Sequence, residues 1–387
     1  MMSGVESLSD ISADLEVRYL TRRPRDVPQE DTQTLLHRIE EDIPRALKFH
    51  RDLPECSPTP LVDLGQMEGV GRVFLKDEGQ RMGMKAFKVL GGTFAVHQLE
   101  TRGEIKAGVD TLTTMTDGNH GAGLAYAARR AGYEAVVYVP KSMVTARRKR
   151  IEGQGARIIE VDGGYEASVA KVHEEADRNG WVLVGDTSWT GYETVPRDIT
   201  TAYSTIFSEA VSQMWEAHGT KPTHVFLQAG VGSFAAGGIV YCHSALKPNP
   251  PNFVIVEPTE ADCILENIKS SGDGSLLCKG SVESVSAGLN CGVPAYRTAW
   301  PIMRDLCSGF VALGDGWPIA AVRELYELGV VSGESGCCGY AALMAARNDA
   351  KLKEELQLDA QSVILVISTE GATDPVIYNN IIGRDVV

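Results

Sequence analysis

The amino-acid sequence predicts an α/β fold of mostly parallel sheets covered by helices, arranged as two domains. Three observations predict it. Apolar, β-branched runs of strand length alternate with helical spacing through much of the chain, an order that buries parallel strands beneath helices. The joints after those strands are short and contain glycine, and ligands in such folds bind beyond the carboxyl ends of the strands. A chain of 387 residues is also long enough to divide its core between two domains.

Taken in order, residues 1–30 are polar and aperiodic and read as a loosely held arm. Helical spacing covers 34–49, and Ser57-Pro58-Thr59-Pro60-Leu61 is a proline-stiffened extended entry. A short strand at 72–76 runs through Arg81-Met82-Gly83-Met84-Lys85-Ala86-Phe87-Lys88 into an apolar helical pattern at 90–99. The strand at 111–116 ends in Asp117-Gly118-Asn119-His120-Gly121, followed by an alanine-rich helix to residue 130. Strand 134–139, a helix through 150–151, strand 157–161, helix 167–178 and strand 181–184 come next. One long helix is expected from 199 to 215, then strand 223–228, the loop Ala229-Gly230-Val231-Gly232-Ser233 and another helix. Further strands fall at 252–256 and 362–367.

Composition narrows the function. A net charge of −14 argues against a nucleic-acid partner, which needs a basic surface. The basic run Arg147-Arg148-Lys149-Arg150 reads as the solvated face of a helix. No apolar stretch has the length of a membrane span, and the acidic start, with Glu6, Asp10, Asp14 and Glu16, lacks the order of a secretory signal. Eight cysteines in a chain this long make no disulfide scaffold, and neither they nor the scattered histidines have zinc-ligand spacing. A cytoplasmic protein without metal is expected.

Three stretches carry chemistry. Lys88 stands at a strand-to-helix turn between Phe87 and Val89. Taken alone it is an ordinary solvated lysine. A lysine that loses solvent has a lowered pKa, and the free amine condenses with aldehydes. The run from Gly230 through Gly232 to Gly237, between a strand and a helix, has the form of a dinucleotide loop. Glu257 closes the next strand, about where a ribose-binding acid would fall. An NAD(P)-binding oxidoreductase using Gly230–Gly237 is thus one alternative, but the backbone N–H groups of such a loop specify only an anion. In the third stretch, Asn119 offers both donor and acceptor to the rim of an aromatic cofactor. His120 is expected to hydrogen-bond backbone. Asp117 is either a helix cap or a carboxylate in the pocket.

Together, Ala86-Phe87-Lys88, the Asp-Gly-Asn-His-Gly turn and the Gly-Val-Gly-Ser loop resemble fold type II pyridoxal-phosphate enzymes, and specifically the diaminopropionate ammonia-lyase family. Gly185-Asp186-Thr187-Ser188-Trp189, Val256-Glu257-Pro258, Ser332-Gly333-Glu334-Ser335-Gly336 and Ile367-Ser368-Thr369-Glu370-Gly371 extend the likeness. The resemblance implies pyridoxal 5'-phosphate in the cleft between a large domain (1–96 plus 193–387) and a smaller inserted domain (97–192). It implies that Lys88 condenses with the cofactor's aldehyde, beside Phe87. The backbone of Gly230, Val231, Gly232 and Ser233 would hold the phosphate. Asn119 would bond the ring hydroxyl, Thr369 would face the pyridine nitrogen, and Glu334 would lie near the ring. Lys88, Asp117 and Asp186 would be catalytic, with Asp117 serving the D-isomer of the substrate.

The implied reaction is α,β-elimination on a small β-substituted amino acid, 2,3-diaminopropionate to pyruvate and ammonia, by a homodimer. The alternative within the same cofactor class is a serine- or threonine-type dehydratase or a β-replacement enzyme. A cofactor-binding protein without turnover is the third. Two departures bear on the substrate: Lys85 stands where the family usually has asparagine, and Ala372 where it usually has an acid. The segment before Ser332 also looks short for the family. Cys263 and Cys291 match two family cysteines capable of pairing.

Overall fold

A computed structural model describes residues 13–116, 118–141, 143–162 and 165–387. The first third runs β1 (Val17–Thr21), α1 (Glu30–Asp52), β2 (Leu61–Met67), β3 (Gly71–Asp77), α2 (Lys88–Thr101), β4 (Thr111–Met115) and α3 (Asn119–Ala131). Then come β5 (Glu134–Pro140), α4 (Thr145–Glu152), β6 (Arg157–Val161), α5 (Tyr165–Asn179), β7 (Val182–Leu183), α6 (Thr194–Ala202), α7 (Ser204–His218), β8 (His224–Gln228) and α8 (Ser233–Ala245). The remainder is β9 (Asn252–Pro258), α9 (Cys263–Lys269), α10 (Trp300–Leu306), β10 (Gly309–Leu313), α11 (Gly316–Glu327), α12 (Cys338–Asn348), α13 (Ala350–Glu355), β11 (Val363–Ser368) and α14 (Pro375–Ile382).

These strands form two sheets. The larger has the order β1-β10-β9-β8-β11-β3-β2, and the smaller β6-β5-β4-β7. Every pairing in the smaller sheet is parallel. In the larger sheet only the edges are antiparallel, β1 on β10 and β2 on β3. All four strands of the smaller sheet come from the chain between β3 and β8.

The central strands are apolar because both their faces are covered. Val225 and Leu227 of β8 pack into one core with Phe253, Ile255, Leu365 and Ile367. Phe226, between them, packs into the other with Val254, Ile364 and Val366. The period-two alternation of a strand thus feeds two cores from a continuous apolar run.

Two expectations need correction. The segment expected as a loose arm contains β1, whose residues pair from Val17 with Leu313 to Thr21 with Gly309. The β-branched and aromatic side chains of Val17-Arg18-Tyr19-Leu20-Thr21 suit a sheet edge. The single long helix expected from residue 199 is two helices, α6 and α7. The ladder tightens where they meet: the Tyr203 N–H donates to Thr200 O at 3.3 Å, one residue short of the α-helical partner.

Among the described residues no helix is long and apolar enough to cross a membrane. Cys263 and Cys291 are both buried thiols, and that of Cys291 donates to Val293 O at 2.9 Å.

Candidate active site

The loop that carries Lys88 is rooted in a buried ionic cluster. Arg81 donates to both oxygens of Glu78, at 2.8 Å each, and to Glu209 at 2.9 and 2.7 Å. Lys76, fully buried at the end of β3, bonds Glu209 at 2.7 Å and the Thr59 carbonyl at 2.7 Å. Buried charges persist only when paired and hydrogen-bonded like this. Beyond the cluster, residues 85–87 zip to the segment after β11. Gly371 N donates to Lys85 O at 3.0 Å, and Phe87 N to Thr369 O at 3.1 Å. Lys88 thus becomes the first residue of α2 with Thr369 beside it.

Helix α3 reaches the same point because glycine lets it. A Cβ on Gly92 of α2 would lie 2.8 Å from Gly123 O, and one on Gly123 would lie 3.0 Å from the Lys88 backbone. Any side chain at these places would push the two helices apart. The cavity between them and the larger sheet is lined by Phe87, Lys88, Asn119, His120, Arg147, Asp186, residues 228–234, residues 287–291, Ser335, Thr369 and Glu370. Asp117 lies outside the described residues.

Lys88 Nζ donates to Asp186 Oδ2 at 2.6 Å. Burial by itself would raise the Asp186 carboxyl, but the adjacent Lys88 ammonium outweighs it and holds that carboxyl well below the usual range. Tyr192 fixes the segment before Asp186, accepting from Gly185 N at 2.8 Å and donating to Leu183 O at 3.0 Å. His120 Nε2 lies 2.8 Å from Val184 O. A carbonyl can only accept, so Nε2 carries the hydrogen and Nδ1 is bare. Burial pushes the imidazole below the ordinary histidine value, and among the described residues Nδ1 has no hydrogen-bond partner, 4.0 Å from Asp186 Oδ2.

On the opposite wall, Gln228 Nε2 donates to Thr369 Oγ1 at 3.1 Å. Gln228 Nε2 also reaches the Gly336 and Ile367 carbonyls at 2.7 and 2.9 Å, and among the described residues the Thr369 hydroxyl donates to none, which leaves its hydrogen for an acceptor in the cavity. Glu334 is fully buried and sits behind Arg147, which donates to its Oε1 at 3.2 Å. Burial, then the neighbouring Glu370 carboxylate, push the Glu334 acid up to about 7, against the pull of Arg147.

Sequence reasoning missed the arginines. The run 147–150 lies on α4, and Lys149 is exposed as expected. However, Arg147 and Arg150, three residues apart and so on one helix face, turn inward. Arg147 lines the cavity, and Arg150 bonds Asn119 Oδ1 at 2.7 Å and Met84 O at 2.6 Å. The spacing of the two arginines was the available signal. The ribose-acid reading of Glu257 also fails, because both its oxygens accept backbone N–H groups at the start of α9, from Ile264 at 2.8 Å and Leu265 at 2.9 Å. Lys85 is exposed and stands off the cavity. Its φ of +55° is a left-handed conformation that asparagine adopts more readily than lysine.

The loop after β8 fits a phosphate. Gly232 has φ +93°, and a Cβ there would lie 2.5 Å from the Met303 methyl. Helix α8 begins at the next residue, so the N–H groups of its first turn lack helical acceptors and face an anion site. With an amine, a phosphate cradle and a free hydroxyl around one cavity, the fold and the site define a pyridoxal-phosphate enzyme. A family profile described as pyridoxal-phosphate dependent enzyme matches residues 53–370. The diaminopropionate ammonia-lyase of Salmonella typhimurium is 39% identical over 369 residues, 87% of this chain and 90% of that protein. The Escherichia coli K12 protein of the same name is 37% identical over 363 residues, again 87% and 90%. The crystal structure of the Escherichia coli enzyme in complex with an aminoacrylate-PLP azomethine reaction intermediate matches with a TM-score of 0.84 and 34% identity, over 95% of this chain and 97% of that one. The chain belongs to the diaminopropionate ammonia-lyase family of pyridoxal-phosphate dependent enzymes.

Proposed function

We propose that the protein eliminates ammonia from 2,3-diaminopropionate, and that water hydrolyses the released enamine to pyruvate and a second ammonia. The observation that carries this function is the Lys88–Asp186 pair at 2.6 Å inside the cavity of a chain from this family. Pyridoxal phosphate, when bound, supplies the carbonyl carbon that an amine can bond and the electron sink that makes a proton on the adjacent carbon removable.

The protein's groups do the rest. Lys88 Nζ would hold the cofactor and serve as the base for the α-proton of the L-isomer. Asp186 Oδ2 carries the matching negative charge. A carboxylate kept ionised in the cavity favours a substrate with a second, cationic amine over one with a hydroxyl. Asp117 is assigned the corresponding proton of the D-isomer. The N–H groups of Gly230, Val231, Gly232 and Ser233 would hold the phosphate, beside Phe87. Asn119 would bind the ring hydroxyl, and the hydrogen of Thr369 Oγ1 would serve the ring nitrogen, which a hydroxyl partner would leave uncharged and so a moderate electron sink. Glu334 acts through Arg147 at the rim.

The two-domain division into 1–96 plus 193–387 and 97–192 belongs to the same proposal and is supported by the position of the smaller sheet between β3 and β8. So do a homodimer in the cytoplasm and the lack of a nucleic-acid partner, which the net charge of −14 supports.

Pyruvate and ammonia release should be assayed with both enantiomers, beside serine and threonine. Borohydride should remove the near-visible absorption band and leave its label on Lys88. Asp117→Asn should cost the D-isomer more than the L-isomer. A protein that takes up no pyridoxal phosphate, or prefers serine, would overturn the assignment.

A further inference from the structure

We propose that Arg150 is a positioning residue that fixes the side-chain amide of Asn119 toward the cofactor and ties it to the lysine-bearing loop. This rests on the function proposed above.

The amide is held at both ends. Arg150 Nη1 donates to Asn119 Oδ1 at 2.7 Å, and Asn119 Nδ2 donates to Glu370 Oε2. A guanidinium only donates and an ionised carboxylate only accepts, so the orientation of the amide is determined by its partners. Flipping it would put the Asn119 NH2 against the Arg150 donors and its oxygen against Glu370. Glu370 Oε2 also accepts from Thr373 Oγ1 at 3.1 Å, which holds the carboxylate in turn. Glu370 takes one hydrogen of Nδ2. The second remains for an acceptor in the cavity that Asn119 lines. An amide held this way presents a donor, which is what an anionic ring oxygen requires.

The same guanidinium reaches a second element. Arg150 Nη2 donates to Met84 O at 2.6 Å, four residues before Lys88 in the chain. One planar fork therefore spans the start of α3 and the loop that delivers Lys88. A rigid fork suits this role better than a flexible ammonium, which makes one bond at a time. Arg150 itself is absent from the cavity lining, so it acts through Asn119 and the loop.

The test uses the full-length protein loaded with pyridoxal phosphate. Arg150→Ala should weaken cofactor binding about tenfold, the effect of losing one or two charge-assisted hydrogen bonds, and should move the absorption band. Arg150→Lys should recover part of the affinity and less of the band position. Lys149→Ala, an exposed neighbour on the same helix, should change neither. If Arg150 works through Asn119, Arg150→Ala should move the band no further in an Asn119→Ala background. Should Arg150→Ala not fold, Arg150→Lys enters the same cycle. Additive band shifts, or a band and affinity unchanged in both Arg150 variants while the wild type binds cofactor at Lys88, would overturn this inference alone. A wild-type protein that takes up no pyridoxal phosphate would overturn the proposed function and this inference with it.

Discussion

Lys88 and Asp186 meet at 2.6 Å although one opens a helix beside the larger sheet and the other follows the last strand of the smaller one. The amine is therefore matched to its carboxylate only when both parts of the chain are in place. Asp186→Asn keeps the shape and removes the charge. It should lower kcat/KM by about a hundredfold or more while the protein still binds pyridoxal phosphate at Lys88. Unchanged kinetics with 2,3-diaminopropionate would show that the pair has only a structural role.

Glu334 makes stability depend on pH. Its acid is raised to about 7 in the folded protein, against about 4.3 in an unfolded chain. Between those values the folded state binds the extra proton. The associated stabilisation is complete below the unfolded value and is lost as pH rises through about 7. Melting temperature should therefore fall between about pH 5 and about pH 8. Glu334→Gln should flatten that fall and melt about 2 °C or more higher at the alkaline end. Parallel curves for the two proteins would exclude Glu334 as the group responsible.

Gly232→Ala tests the phosphate cradle. The new methyl would need φ +93° and would meet the Met303 methyl at 2.5 Å. The expected cost is about 1–3 kcal/mol of stability, together with weaker binding of pyridoxal phosphate in equilibrium dialysis. An alanine variant with full affinity would place the phosphate elsewhere.

Lys85→Asn should do the opposite. The residue has φ +55° and an exposed side chain away from the cavity, and asparagine relieves the strain that lysine bears there. A gain of up to about 1 kcal/mol is expected, with no change in the preference between diaminopropionate and serine. A change in that preference would mean that Lys85 reaches the substrate after all.

Much of this was legible in the sequence wherever the pattern was local. The parallel strands show as apolar runs because two cores share each strand, as Val225, Phe226 and Leu227 do. Lys88, Asn119 and Ser233 stand at strand ends and glycine joints, whereas Thr369 is marked only by the family resemblance. What was hidden depends on partners remote in the chain. Nothing near Val17 announces that it pairs with Leu313. Arg147 looks like any solvated arginine until Glu334 is placed behind it. Glu257 resembles a ribose-binding acid until the start of α9 takes both its oxygens.

The neighbours of β3 carry a consequence for how the protein is made. β3, which leads into the Lys88 loop, is paired on one side by β11, Val73 with Ile364 and Lys76 with Ile367. About three quarters of the chain lies between these partners. During synthesis the strand before Lys88 must wait with one edge unpaired until residues 363–368 have emerged, and such long-range pairings form late and slowly. Because β11 stands between β8 and β3, the larger sheet and the wall of the site that holds Thr369 are completed together at the end, and a nascent chain has neither the finished cleft nor any catalytic capacity before then.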